Sequence, residues 1–138
     1  MAMQITGRLA SGVGEGKHFT RLEWARAQFV TKLGIDPFPG TVNLVVDDPA
    51  ELEKWAVLRA TPGVVIRPPD PQWCDGRCWK VRIGDDIDAA IVFPGVPGYP
   101  ENQIEVIAPV DVRERLKVDD GASLRLDVQE PVEEGSAA

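Results

Sequence analysis

The stretch Pro37-Phe38-Pro39-Gly40-Thr41-Val42-Asn43 places two prolines and a glycine directly before an apolar run, Leu44 to Val46. Proline fixes its own backbone and disfavours helix in the residue before it, so a helix upstream has to end before this stretch. The apolar run predicts a buried strand, and alternation along it places Thr41 and Asn43 on one face. Two uncharged side-chain oxygens on one face suit a Mg²⁺ ion that keeps phosphate and water as its other ligands. A proline–glycine turn that leads into a strand explains the same residues without a metal.

A second stretch, Ser11-Gly12-Val13-Gly14-Glu15-Gly16-Lys17, has glycines at alternate positions and follows an apparent strand, Ile5 to Ala10. Small residues let phosphate oxygens approach backbone N–H groups, and the lysine would add a positive charge. The spacing matches neither the Walker loop nor the dinucleotide-binding fingerprint, and a flexible hairpin loop is the alternative. The candidate nucleotide-binding residues in this stretch are Gly12, Val13, Gly14, Glu15, Gly16 and Lys17.

Two helices are predicted in the first half of the chain. Thr20 and Glu23 form a capping-box pattern, and Gly34 is placed to end the helix that follows. The apolar face of that helix consists of Leu22, Ala25, Phe29, Val30 and Leu33. Asp48 and Pro49 supply the N-cap and first residue of a second helix, with Glu51 as the capping partner.

From Val64 onward the apolar pattern becomes short and has a period of two, which predicts strands. The predicted strands are Val64 to Ile66, Cys78 to Ile83, Ile87 to Phe93, Ile104 to Ala108 and Ala122 to Val128. In the second of these, Trp79, Val81 and Ile83 are expected to point inward. Six or seven short strands with two early helices fit a small closed barrel better than a parallel α/β sheet, which needs a helix after nearly every strand. The predicted fold class is therefore mainly β with inserted helices.

The composition restricts the class of protein. A chain of 138 residues suits one domain, which we assign to residues 1–129, and the acidic, small-residue-rich stretch 130–138 is expected to be a disordered tail. Because 22 acidic residues outnumber 15 basic ones, a nucleic-acid surface is disfavoured, although a nucleotide site is not. No apolar run approaches the ~20 residues that span a bilayer, and the N-terminus lacks the pattern of a signal peptide. We expect a cytoplasmic monomer without a membrane or nucleic-acid partner. Cys74 and Cys78, with His18 as the one further candidate ligand, are too few for a zinc site. We expect both thiols to be reduced, with a disulfide across the Asp75-Gly76 turn as the alternative.

Two features of the last third of the chain are candidate site residues. Glu105 is a single charge inside an apolar strand; it either faces outward between inward neighbours or has a functional role. Val110, Asp111, Val112 and Arg113 follow Pro109 at the start of a short helix, where exposed N–H groups favour an acceptor on a ligand. A surface salt bridge is the alternative role for the arginine.

The segments SGVGEGKHF, LGIDPFPGTVNL and IEVIAPVDVRERL, in this order, resemble the three signature segments of the archaeal-type CTP-dependent riboflavin kinases. The resemblance extends from about Ile5 to Val128. It implies a six-stranded cradle-loop barrel, a flavin-binding enzyme of FMN biosynthesis, and a reaction in which CTP and riboflavin give CDP and FMN with Mg²⁺ held by Thr41 and Asn43. It also implies that Val110 to Arg113 recognise cytosine and its ribose. Glu105, by the same resemblance, contacts the ribityl end of the flavin or its phosphate side. A carboxylate at this position can orient the attacking hydroxyl, which is the role we favour, or deprotonate it.

One loop departs from the pattern of that family. Members of the family tend to carry a threonine for the flavin site before the glutamate strand, whereas the loop from Phe93 to Asn102 has neither threonine nor serine. Tyr99 or Asn102 would have to replace it, and we take Tyr99 as the candidate flavin-binding residue. Two other functions stay open: a non-catalytic regulatory barrel that binds nucleotide and flavin, and a kinase for a different hydroxyl substrate.

Overall fold

The structure is a computed structural model, and it describes residues 3–10, 22–70, 72, 75–84, 86–95 and 98–129. Seven strands form one antiparallel sheet in the order β3-β4-β5-β6-β2-β1-β7, and β7 also pairs with β4. Six strands therefore close into a barrel, while β3 pairs only along the first part of β4. This confirms the predicted mainly β fold and its six-stranded closed barrel. The strands are β1 (Met3–Ala10), β2 (Val42–Val45), β3 (Val64–Ile66), β4 (Gly76–Ile83), β5 (Ile87–Phe93), β6 (Gln103–Ile107) and β7 (Ser123–Val128).

Alternation along the strands decides which side chains fill the barrel. In β4, Trp79, Val81 and Ile83 are buried in the interior cluster, while Lys80 and Arg82 are exposed, as the period-two pattern predicted. Large aliphatic side chains from all six barrel strands join the same cluster, and burial of this apolar surface is the main source of stability. Among the described residues, no helix is both long and apolar enough to cross a bilayer.

The first helix, α1 (Glu23–Gln28), continues as a π-helical turn, Phe29–Leu33, and ends at Gly34. Gly34 has φ of 73°, the left-handed conformation that glycine adopts easily, so the predicted end is confirmed. The predicted start is wrong. Leu22 is the N-cap and makes no side-chain cap, so the helix begins later than a cap at Thr20 requires; Thr20 itself lies outside the described residues.

The face of α1 also differs from the prediction at one position. Ala25, Phe29 and Leu33 are buried in a second cluster, against the outer face of β4, β5 and β6. Val30, however, is 45% exposed. The π-helical turn is wider than an α-helical one, so residues there no longer follow the 3.6-residue spacing from which the apolar face was predicted.

The second helix, α2 (Pro49–Arg59), begins as predicted, because the Asp48 side chain accepts a hydrogen bond of 2.8 Å from the N–H of Ala50. Glu51 is not the capping partner. Its carboxylate accepts bonds from the N–H of Thr6, at 2.7 Å, and from Lys54, at 2.9 Å, and so ties α2 to β1. The Lys54 ammonium and then the Thr6 N–H lower the pKa of Glu51.

The register of the strands defines two ends of the barrel. Ala10 pairs with Asn43 and Val42 pairs with Val106, so the end of β1, the start of β2 and the end of β6 lie together. We call this the site end. The last helix, α3 (Val112–Leu116), follows β6 there.

Candidate functional site

Glu105 and Asn43 lie side by side on the outer face of the barrel. They are paired directly across β6 and β2, and the strand neighbours of Glu105, Ile104 and Val106, point into the interior cluster. Glu105 therefore faces outward, as alternation allows, yet it is only 2% exposed, and Asn43 is 7% exposed. A carboxyl group buried in this way is a candidate for function, because taking a charged group out of water is costly and needs partners.

Hydroxyl groups approach both oxygens of the Glu105 carboxyl group. Thr41 donates from Oγ1 to Oε1 at 3.1 Å, and Tyr99 donates from its phenol to Oε2 at 2.5 Å. Thr41 comes from the stretch before β2, and Tyr99 from the loop between β5 and β6. The structure thus brings together the predicted catalytic residue, one predicted metal ligand and the predicted flavin-binding residue.

The Tyr99 side chain is held as a hydrogen-bond donor. Burial raises the pKa of Tyr99, and the hydrogen bond to Glu105 and the charge of that residue raise it further, so the phenol stays protonated. Its ring packs edge-on against Phe93, with centroids 5.6 Å apart. Asn102, the other possible replacement for the missing threonine, is exposed, and its carbonyl accepts a bond from the N–H of Val46.

Asn43 shares its face with Thr41, as the alternation predicted. The amide nitrogen of Asn43 lies 3.3 Å from the carbonyl oxygen of Thr41 and 3.5 Å from its hydroxyl, and the amide oxygen accepts a bond from Gln103 at 3.4 Å. Asn43 does not lie on a wet face, because it is only 7% exposed, whereas Thr41 is partly exposed and lines a pocket at the site end. A threonine hydroxyl and an amide oxygen are ligand types that Mg²⁺ accepts, although here the amide nitrogen of Asn43 faces Thr41 and its oxygen faces Gln103.

A pocket of about 180 Å³ at the site end joins two of the predicted segments. One wall is the turn from Phe38 to Val42, and the other is Val110 to Arg113, with Val106 and Ala108 between them. The N–H of Phe38 donates to the carbonyl of Ala108 at 2.7 Å and holds the turn against the end of β6. Thr41 lines this pocket and also bonds to Glu105, so the pocket and the buried carboxyl group are adjacent.

Arg113 connects the pocket to the end of β1. Its guanidinium donates to the carbonyl of Ala10, at 3.1 Å, and to Asp120, at 2.6 Å. Ala10 is the last described residue before Gly12 to Lys17, and those candidate nucleotide-binding residues lie outside the described part of the chain. Arg113 therefore lines the pocket and also forms the surface ion pair that was its alternative role.

The neighbours of Arg113 in this segment make contacts within the protein itself. Asp111 is the N-cap of α3 and accepts a bond from the N–H of Glu114 at 3.3 Å, so the N–H of Glu114 is paired within the helix. Arg115 forms an ion pair with Asp86 and does not line the pocket. Val112 is buried in the interior cluster and anchors the helix.

Two residues around the pocket were not predicted as site residues from the sequence. Phe38 forms part of the wall, and an aromatic residue between two prolines is a signal that could have identified it. Asp120 fixes Arg113, but only the folded structure shows that pairing. Cys78 is buried and its thiol is free; burial raises its pKa to about 12, so it is a structural residue, whereas Cys74 lies outside the described residues.

Comparison with known proteins identifies the family. The family model CTP-dep_RFKase, described as "Domain of unknown function DUF120", matches residues 9–128. The riboflavin kinase of Saccharolobus solfataricus is 33% identical over 132 residues, which are 92% of this chain and 74% of that protein. The riboflavin kinase of Archaeoglobus fulgidus is 37% identical over 129 residues, 91% of this chain and 54% of that protein. That of Methanosarcina mazei is 36% identical over 122 residues, 86% of this chain and 53% of that protein.

The chain spans about three quarters of the length of the first of these relatives and about half the length of the other two. The matched range, residues 9–128, contains the residues that line the pocket and the buried Glu105. The chain therefore belongs to the CTP-dependent riboflavin kinase family.

Proposed function

We propose that this protein transfers the γ-phosphate of CTP to riboflavin and so produces CDP and FMN, with Mg²⁺ as the metal. The observation that carries the proposal is the buried Glu105 carboxyl group, which is bonded to Thr41 beside a pocket lined by Val110 to Arg113. The family and its riboflavin kinase relatives support the same activity.

Phosphoryl transfer requires a bound nucleotide, neutralised phosphate charge and an acceptor hydroxyl in line with the phosphorus. The pocket at the site end takes the cytosine and ribose of CTP. The glycine stretch, Gly12 to Lys17, takes the phosphates; in the sequence it follows Ala10, whose carbonyl accepts a hydrogen bond from Arg113 of that pocket. The pocket and the glycine stretch would thus meet the first two requirements.

Glu105 acts on the acceptor. A carboxylate offers about four lone-pair directions, and hydroxyls of Thr41 and Tyr99 take only two. The remaining capacity accepts a hydrogen bond from the terminal ribityl hydroxyl of riboflavin. That hydrogen bond orients the hydroxyl oxygen towards the γ-phosphate. The Glu105 carboxylate then receives the proton of the hydroxyl as the new P–O bond forms and the bond between the γ-phosphate and CDP breaks.

Thr41 and Asn43 are the residues that would hold the metal. When bound, Mg²⁺ neutralises charge on the transferring phosphates. The two side chains supply uncharged oxygens, which suit an ion whose other ligands are phosphate and water. Among the described residues, no group of three or more His, Cys, Asp or Glu side chains could hold a metal ion, and an ion that shares its ligands with a nucleotide does not need one.

The test is incubation of the purified protein with riboflavin, Mg²⁺ and each of the four nucleoside triphosphates, followed by chromatography for FMN and for the nucleoside diphosphate. We expect FMN and CDP from CTP, and a fall of about 10² or more in turnover for Glu105→Gln if the residue acts as the base. Glu101→Gln, a change of an exposed glutamate in the neighbouring loop, is the matched control. Flavin binding without FMN from any nucleotide would instead establish a non-catalytic barrel.

A further inference from the structure

The side-chain amide of Asn43 has a different neighbour on each side, within the buried face that carries Glu105. On one side is Thr41: the amide nitrogen lies 3.3 Å from its carbonyl oxygen and 3.5 Å from its hydroxyl. On the other side is Gln103, whose amide nitrogen donates to the amide oxygen of Asn43 at 3.4 Å. These distances are at the long end for hydrogen bonds, so the Asn43 amide is held only loosely in this orientation.

This orientation is the opposite of the one that a metal site needs. A cation between Thr41 and Asn43 binds oxygen, whereas the N–H groups of an amide carry partial positive charge and repel it. For the amide oxygen to face Thr41, the Asn43 amide has to turn over about its last side-chain bond, a torsion with a broad, roughly two-fold preference. Without a cation the observed orientation is favoured, because N–H groups are attracted to the oxygens of Thr41 and a third oxygen is repelled by them.

The end of the amide that faces away from Thr41 needs a partner in both orientations. Asn43 is only 7% exposed, so water does not readily supply that partner. In the described part of the chain, Gln103 is the side chain that bonds to this end. A glutamine amide has a donor nitrogen and an acceptor oxygen, so by turning its own amide it can pair with either end of the Asn43 amide. A glutamate at position 103 could only accept, and a lysine could only donate.

Tyr99 adds a reason for the orientation seen without a metal. The side chain of Gln103 also forms a hydrogen bond with the Tyr99 phenol, and the phenol donates its own proton to Glu105. Because that proton is engaged, Gln103 acts as the donor to the phenol oxygen. Turning the Gln103 amide would place an oxygen beside the phenol and break this bond, so the observed form is the favoured one until a cation binds.

We infer that Gln103 is a positioning residue for the metal site, which sets the end of the Asn43 amide that faces Thr41 and turns together with it on binding of Mg²⁺ and nucleotide. In the metal-free protein, the Gln103 nitrogen holds the Asn43 oxygen away from Thr41. In the metal-bound protein, the Gln103 oxygen accepts from the Asn43 nitrogen and fixes the Asn43 oxygen towards the ion. The inference rests on the proposed function for the metal and the nucleotide, and it adds the residue that orients the ligand.

The first test observes the orientation directly, by NMR of isotopically labelled protein. The side-chain N–H protons of Asn43, assigned by their loss in Asn43→Asp, should show NOEs to the side chain of Thr41 in the metal-free protein. Mg²⁺ and CTP, added without riboflavin, should replace these NOEs with NOEs to the side-chain methylene groups of Gln103. In Gln103→Glu, whose carboxylate can only accept, NOEs to residue 103 should be present before Mg²⁺ is added.

The second test measures metal affinity without turnover, from the EPR signal of free Mn²⁺ in the presence of CTP and the absence of riboflavin. Gln103→Met keeps the length of the side chain but removes its donor and acceptor, so the buried N–H groups of Asn43 lack an acceptor in the metal-bound form. Mn²⁺ binding should weaken by about tenfold or more, the lower end of the range for loss of a group that supports a metal ligand. Gln103→Glu should tighten it, because the carboxylate fixes the Asn43 oxygen towards the ion.

Asn102→Asp is the control for the charge that Gln103→Glu adds. Asn102 precedes Gln103 and is exposed, and the described hydrogen bonds of the Asn43 amide do not include it. In about 0.3 M salt, which screens exposed charges, Asn102→Asp should leave the Mn²⁺ affinity unchanged.

Three results would overturn the inference: NOEs from Asn43 to Thr41 that persist after Mg²⁺ and CTP bind, wild-type Mn²⁺ affinity in Gln103→Met, or equal tightening by Gln103→Glu and Asn102→Asp. All three are separate from a failure of the proposed function. FMN formation from CTP together with any of them would remove only the role of Gln103. A turn of the Asn43 amide that depends on Gln103, without FMN formation from any nucleotide, would remove only the kinase activity.

Discussion

The hydrogen bond from Tyr99 to Glu105 should be a measurable part of the stability of the fold. Tyr99→Phe removes one hydroxyl and leaves the ring against Phe93. Because Glu105 is only 2% exposed, water does not easily replace the lost donor. A hydrogen bond to a charged group contributes about 1.5–3 kcal/mol, so we expect the free energy of unfolding to fall by about 2 kcal/mol.

Equilibrium unfolding in urea at neutral pH gives this number, and a double-mutant cycle assigns it to the pair. Tyr99→Phe, Glu105→Gln and the double variant should show a coupling energy of about 1 kcal/mol or more, because the two groups are in direct contact. Thr31→Val is the control: its hydroxyl donates to the carbonyl of Ala27 at an exposed site, and its loss should cost less than about 0.5 kcal/mol. A Tyr99→Phe protein as stable as the wild type, or strictly additive effects, would refute this reasoning.

Three further predictions concern the metal site, one ion pair and one thiol. The double variant Thr41→Val, Asn43→Ala should lose Mg²⁺-dependent FMN formation and keep its circular dichroism spectrum; unchanged turnover would exclude the metal role. Because partners in the fold lower the pKa of Glu51 below its ordinary 4.5, its stabilisation is present above about pH 4.5 and is lost as the pH falls. Glu51→Gln should therefore lower the melting temperature at pH 7, with a smaller difference at about pH 3, and a gap that is independent of pH would contradict this. In a Cys74→Ala variant, Cys78 should react with a thiol reagent at about pH 8 only after unfolding, because burial raises its pKa to about 12; rapid reaction in the native protein would show that it is exposed.

Local signals in the sequence predicted the elements that depend on local chemistry. Asp48 caps α2 and Gly34 ends the turn after α1, since both act within a few residues of their own position. The alternation in β4 likewise gives the correct buried face. The misassigned Val30 lies in a π-helical turn, which a search for the 3.6-residue period does not detect. Glu51 fits a capping-box pattern, but its carboxylate accepts a hydrogen bond from the N–H of Thr6 on strand β1 instead.

The site was predictable as a set of segments but not as a set of contacts. The turn before β2 and the segment after β6 were each recognisable, and the structure places both around one pocket. The burial of Glu105 could not be predicted from the sequence. It depends on a contact with Thr41, 64 residues away, and on how the β5–β6 loop brings Tyr99 back over β6. From the sequence, Glu105 was predicted either to face outward or to have a functional role. In the fold its side chain faces outward and is nevertheless buried.

The position of β7 between β1 and β4 determines when the barrel can form. Met3 pairs with Val128, so the closing contacts join the two ends of the described chain. Before β7 is in place, the other five barrel strands are an open sheet whose edges are β1 and one side of β4. A nascent chain that has left the ribosome only as far as α3 thus carries two unpaired edges, which invite pairing with other chains. Closure waits for β7 and brings together residues far apart in sequence, and the entropy cost of closing so long a loop makes it a late step of folding.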